Sequence, residues 1–203
     1  MFLQTMVTTT ILRGSRGTWS LPNLLTYGRV AAVPVVVGCL FYSEIDWMRW
    51  VALGVFIAAA ITDFLDGYLA RALEQQSALG QMLDPIADKL LVAAVLMMLV
   101  ADHTISSYTL GAAVVILCRE ILVSGLREFL AELKVPLPVS RIAKWKTTLQ
   151  LVALGFLIAG SAGDKVLPGT TQIGLALFWL SALLTIYTGW DYLRAGIRHI
   201  LED

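Results

Sequence analysis

Apolar residues run along this chain in blocks about twenty residues long, and polar residues gather at the breaks between them. A helix rises 1.5 Å per residue, so about 20 residues cross a hydrocarbon core roughly 30 Å thick. Blocks of that scale fall at about 22–43, 47–71, 82–102, 107–128, 143–162 and 171–193, and each predicts a membrane-spanning helix. The breaks carry turn formers and charges: Ser43 to Trp47, Asp102-His103, Lys134 to Pro138, and Ser161 to Gly169 with Pro168. The expected fold is all-α and integral to the membrane, with six transmembrane helices and connections too short for a soluble domain. Residues 1–18 carry Arg13, Gly14, Arg16 and Gly17 without a long apolar core. They read as an interfacial segment rather than a cleaved signal peptide, with 19–203 as the transmembrane domain.

Composition agrees. The chain is 58% hydrophobic and 15% charged, whereas soluble domains run at about 45–50% and 25%. Fifteen Lys and Arg balance fifteen Asp and Glu, so no global field draws a polyanion, and nucleic acid is excluded as a partner. Cys39 and Cys118 each sit in an apolar run and are expected to be buried free thiols. With six spans both termini share one side of the membrane. That side receives Arg13, Arg16, Arg71, Lys134, Arg141, Lys144, Lys146, Arg194 and Arg198, and the other receives Arg49 and Lys165. Positive residues favour the cytoplasm. The expected location is the inner, cytoplasmic membrane, with both termini cytoplasmic.

Against this background the acids stand out, because an ionised Asp at the centre of a membrane helix costs about 2.5–3.5 kcal/mol. Asp63 and Asp66 are i, i+3 near the end of the second block, and Asp84 and Asp88 are i, i+4 at the start of the third. Each pair shares a helix face. A connector of some eight residues makes the two helices antiparallel neighbours, so the four carboxylates converge at the cytoplasmic end, with Pro85 expected in the first turn of the third helix. Arg71 and Lys89 cannot neutralise such a set. Two hard divalent cations with oxygen ligands are the economical answer; the alternative is an interhelical salt-bridge network. Gly67, Ala70 and Gly80 beside the acids either tighten helix packing or let a phosphorylated ligand approach the backbone. Arg71 either snorkels or presents a planar fork to phosphate oxygens. Together these features point to phosphoryl transfer at the membrane surface.

Read continuously, the segment is Asp63-x2-Asp66-Gly67-x2-Ala70-Arg71-x8-Gly80-x3-Asp84-x3-Asp88. It resembles the signature of the CDP-alcohol phosphotransferases at every fixed position. The resemblance implies a six-helix membrane enzyme that displaces CMP from a CDP-linked lipid with an alcohol, using two divalent cations, Mg²⁺ or Mn²⁺. It also implies that Asp63, Asp66 and Asp84 are metal ligands, that Asp88 is both ligand and general base, and that Gly67, Ala70, Arg71 and Gly80 hold the cytidine diphosphate. A homodimer is the assembly the family suggests.

The acceptor must be sought in the second half. Arg119 and Glu120 lie within an apolar block, where Glu120, Ser124 and Arg127 share a face; Arg141 and Lys144 follow at i, i+3, with Lys146 close by. These charges either pair among themselves and anchor the helices, or form a cationic pocket for an acceptor that carries its own phosphate. The run Pro22, Asn23, Leu25, Thr26, Arg29, Pro34, the pairs Arg119-Glu120 and Arg127-Glu128, and Ala143 to Thr147 are similar to the branch of the family that makes phosphatidylglycerophosphate. Ala143 stands where glycine is commoner. That similarity implies CDP-diacylglycerol as donor and sn-glycerol 3-phosphate as acceptor. On the same ground Asn23, Thr26 and Arg29 line the donor site, and Arg119, Arg127, Arg141, Lys144 and Lys146 bind the acceptor phosphate. Sister enzymes that use inositol phosphate, serine or phosphatidylglycerol are the rivals within the family. Intramembrane prenyltransferases differ in Asp spacing. A metal or proton-coupled transporter would place its acids near the midplane and repeat them in the second half.

Overall fold

The computed structural model describes residues 21–73, 78–132 and 141–202. These residues form six helices: α1 (Leu21–Phe41), α2 (Asp46–Leu73), α3 (Ala78–Ala101), α4 (Thr109–Glu132), α5 (Arg141–Val166) and α6 (Thr170–Glu202). Four of them contain stretches long and apolar enough to cross a membrane: Asn23–Phe41, Thr109–Ala131, Trp145–Val166 and Thr170–Trp190. The other two, α2 and α3, carry the aspartates. The predicted segments and the helices agree closely, and the differences have local causes. α3 begins at Ala78, so Pro85 lies inside the helix rather than in its first turn. The missing proline N–H costs one backbone hydrogen bond there.

α1 packs on α2 and α3, α2 also meets α5, and α6 lies against both α4 and α5. The shared core is aliphatic and aromatic: Leu40 from α1, Phe56 from α2, Leu99 from α3, Ile116 from α4, Leu157 from α5 and Phe178 from α6. The outer surface is just as apolar. Ile61, Met97, Ile121, Leu183 and Ile186 are all exposed, an arrangement suited to hydrocarbon rather than water. This corrects one expectation. Cys118 is a free thiol but is exposed, while Cys39 is partly buried; in a bundle with an apolar exterior, an apolar run does not imply burial. A cleft of about 460 Å³ opens between α2 and α5, lined by apolar residues that include Phe56, Ala60, Leu151 and Phe156.

The end where α1 turns into α2 is held by a buried arginine. Arg49 Nε donates to the Ser43 carbonyl (2.9 Å), Nη1 to the carbonyl of Ile158 (3.2 Å), and Nη2 to Asp102 Oδ2 (2.5 Å). Nη1 reaches α5 because that helix is broken at Gly160, whose φ of 44° and ψ of −127° lie outside the helical region. A Cβ at Gly160 would stand 2.4 Å from Arg49 Nη1, so both the backbone and the space demand glycine there. The sequence pattern placed a break at 161–169; the structure instead bends α5 at Gly160 and continues the helix to Val166. Asp164 then accepts from the backbone N–H (3.1 Å) and the hydroxyl (2.5 Å) of Thr171, covering the start of α6. Lys165 pairs with Asp46 across the same end.

Candidate active site

Three helices contribute to a polar centre away from the Arg49 end. Asp63 lies fourteen residues along α2 from Arg49, and Asp88 lies fourteen residues before Asp102 at the end of α3. At 1.5 Å per residue both are about 21 Å from the Arg49 cluster. They meet on Arg29 of α1. Its Nη1 is 2.6 Å from Asp88 Oδ1 and 3.0 Å from Asp63 Oδ1. Arg29 itself is only 2% exposed, whereas the two carboxylates are nearly half exposed, at 47% and 44%. A buried guanidinium thus gathers two acids from different helices while leaving each an open side.

This geometry revises the charge balance read from the sequence. Among the described residues the cation that reaches Asp63 and Asp88 is Arg29, from a helix far away in sequence. Lys89 instead donates to the Pro85 carbonyl of its own helix, at 2.8 Å. One guanidinium thus faces two carboxylates among the described side chains. Asn23 and Thr26, within two turns before Arg29 on α1, are buried, as is Gly80 in the first turn of α3. Asp66, Gly67, Ala70 and Arg71 fall in the last two turns of α2, Asp84 falls in α3, and Arg141 and Lys144 fall in the first turn of α5. Their side chains lie outside the described residues. Among the described residues no group of three or more metal-ligating side chains occurs, since two of the four candidate aspartates are not among them.

A second polar cluster joins α4, α5 and α6. The Glu120 carboxylate accepts from Arg119 Nη1 at 3.2 Å and from Lys146 Nζ. Arg119 Nη2 donates to Thr188 Oγ1 at 3.2 Å. Lys146 is 1% exposed and lies eleven residues before Leu157 on α5, about 16 Å from the Arg49 end. Two of the residues assigned to the acceptor, Arg119 and Lys146, are therefore brought together. Arg127 is exposed, farther along α4, where Ser124 Oγ donates to Glu128 at 3.1 Å. Sequence reasoning noted Glu120 without giving it a role and missed Thr188. An acid within an apolar helix, close to basic residues of the same segment, was the available signal for the first.

The arrangement can do two things chemically. The Asp63–Asp88 centre offers hard oxygen donors and a carboxylate able to accept a proton, and the Arg119–Lys146 cluster offers paired cations able to receive an anion. Known proteins resemble this chain along most of its length. Residues 19–187 match the family model described as CDP-alcohol phosphatidyltransferase. The chain is 46% identical to a Rickettsia bellii protein across 87% of its own length and 94% of that relative. It is 43% identical to a Pseudomonas fluorescens protein across 91% and 93%, and 38% identical to one from Cereibacter sphaeroides across 91% and 99%. All three relatives bear the name CDP-diacylglycerol–glycerol-3-phosphate 3-phosphatidyltransferase. With a match over most of its length, the chain belongs to the CDP-alcohol phosphatidyltransferase family.

Proposed function

We propose that this protein transfers the phosphatidyl group of CDP-diacylglycerol to sn-glycerol 3-phosphate, giving phosphatidylglycerophosphate and CMP. The observation that carries the reading is the meeting of Asp63 and Asp88 on the buried Arg29 at one end of the bundle, in a chain whose relatives bear that activity in their names. We read the fold as six membrane spans with both termini and this end cytoplasmic, in the inner membrane, with residues 1–18 lying at the interface. The working assembly is a homodimer.

In the reaction an acceptor hydroxyl oxygen forms a bond to the phosphorus that carries the diacylglycerol, and the bond from that phosphorus to the CMP oxygen breaks. CMP departs with the electron pair. The hydroxyl proton goes to Asp88, since an alcohol is too weak an acid to attack unaided. Arg29 holds that carboxylate in a fixed direction. Gly67, Ala70, Arg71 and Gly80 receive the cytidine diphosphate, together with Asn23, Thr26 and Arg29 of α1. Arg119, Arg127, Arg141, Lys144 and Lys146 receive the acceptor phosphate. The all-oxygen donors Asp63, Asp66, Asp84 and Asp88 fit two Mg²⁺ or Mn²⁺ ions. Such ions, when bound, stabilise charge on the transferred and departing phosphates.

The test is CMP release from CDP-diacylglycerol by purified protein in detergent, with a panel of acceptors. Release is expected with sn-glycerol 3-phosphate and Mg²⁺ or Mn²⁺, and exhaustive chelation should abolish it until the ion is restored. Release only with inositol phosphate, serine or phosphatidylglycerol would move the protein to a sister activity. Full activity after chelation would end the metal reading.

A further inference from the structure

Lys146 is an ammonium in the interior of a helix bundle, and Arg119 beside it is also largely buried. Two cations brought together in a partly dry site repel, and each carries a desolvation cost. One carboxylate meets both: Glu120 Oε1 accepts from Arg119 and from Lys146. The two cations are not equally dependent on it. Arg119 has a second anchor in Thr188 on α6, and its guanidinium is rigid and planar. Lysine has a flexible four-carbon stem, and the acid holding Lys146 sits 26 positions away on another helix.

We propose that Glu120 is a positioning residue for the acceptor pocket, acting chiefly through Lys146. Its carboxylate keeps the ammonium aimed beside Arg119, so that a phosphate monoester finds two cations already paired. Without it a lone ammonium in this interior turns away, and the pocket loses one of its aimed cations. Glu120 is itself a quarter exposed, which leaves it at the border between the buried ammonium and the space an incoming anion would use. The inference rests on the glycerol-phosphate reading above and adds to it a residue that touches neither substrate.

The experiment is a two-substrate kinetic comparison of wild type, Glu120→Gln, Glu120→Asp, Lys146→Met and the double variant Glu120→Gln/Lys146→Met, each checked for a single species by size exclusion in detergent. Glu120→Gln should raise the acceptor KM about tenfold or more, the scale of a lost charge-assisted contact. Its kcat at saturating acceptor and its KM for CDP-diacylglycerol should stay within about twofold of wild type. Glu120→Asp, which keeps the charge on a shorter arm, should give an intermediate acceptor KM. In the Lys146→Met background the Glu120→Gln change should add less than about twofold, because it acts through the missing ammonium. The proposal fails if Glu120→Gln lowers the acceptor KM, which would make the carboxylate a competitor of the phosphate. It also fails if the two changes multiply independently, or if kcat and donor use fall together as in a general loss of packing. Should Glu120→Gln not accumulate, Glu120→Asp and Lys146→Met carry the same comparison of acceptor against donor KM. If wild type itself ignores glycerol phosphate, the functional reading is at fault; if wild type uses it and the variants are unchanged, only the role of Glu120 is.

Discussion

Replacing Asp88 by Asn should lower CMP release by at least about a thousandfold, while the protein still folds and still binds CDP-diacylglycerol. The amide keeps the size of the side chain but cannot take the acceptor proton, and general bases of this kind contribute about 10²–10⁴ in rate. On the proposed two-metal reading, a charged oxygen ligand is lost as well, so the effect belongs toward the upper end of that range. The binding of the donor should persist, because the cytidine diphosphate is assigned to Gly67, Ala70, Arg71 and Gly80 rather than to Asp88. Lys89→Met provides the contrast. That ammonium sits next to Asp88 in sequence but donates to the carbonyl of Pro85, so its loss should leave turnover within about threefold of wild type. The pair of variants separates charge at the site from mere proximity to it. In an Asp88→Asn protein that retains more than about a hundredth of the wild-type rate, measured as CMP release in saturating glycerol phosphate, the loss falls below the smallest contribution expected of a general base. That result would remove Asp88 from the role.

The helices were legible because a bilayer imposes a length, and a block of about twenty apolar residues has few other uses. The acids were legible for the complementary reason: their cost in such a block demands an explanation. What the pattern did not reveal were pairings between helices. Arg29 and Asp88 are separated by 59 positions, and nothing in the run around Arg29 announces a cation that meets acids from two other helices. Arg49 was counted only as a charge on the less basic side, yet it is buried, and the carbonyl it meets on Ile158 is 109 positions away. Gly160 lies within an apolar block, where its neighbours in sequence give no sign of a bend. Its positive φ accompanies the close approach of Arg49, a tertiary fact. Cys118 failed for a different reason: the rule that apolar runs are buried assumes water outside.

Replacing Arg49 by Met should destabilise the protein by about 3–5 kcal/mol, the range found when one partner of a buried ion pair is removed. The loss is large because several groups depend on the one side chain. Asp102 would be left with a carboxylate that is only 7% exposed, and the carbonyls of Ser43 and Ile158 would lose their donor. Those carbonyls belong to the α1–α2 turn and to the bent part of α5, so a single change loosens two connections together. Asp102→Asn in the same protein should recover part of the loss, since it removes the stranded charge, though it cannot restore the carbonyl contacts. Gly160→Ala should be destabilising for a related reason, with its Cβ directed at Nη1 and its backbone held at a φ of 44°. The expected order of thermal midpoints in detergent is wild type, then Arg49→Met/Asp102→Asn, then Arg49→Met. Because the cluster lies about 21 Å along α2 from Asp63, the surviving folded fraction of each variant should turn over at a rate within about threefold of wild type. A midpoint for Arg49→Met equal to that of wild type would show that the bend in α5 stands without its arginine. A per-molecule rate falling in step with stability would show instead that the two ends of the bundle are coupled.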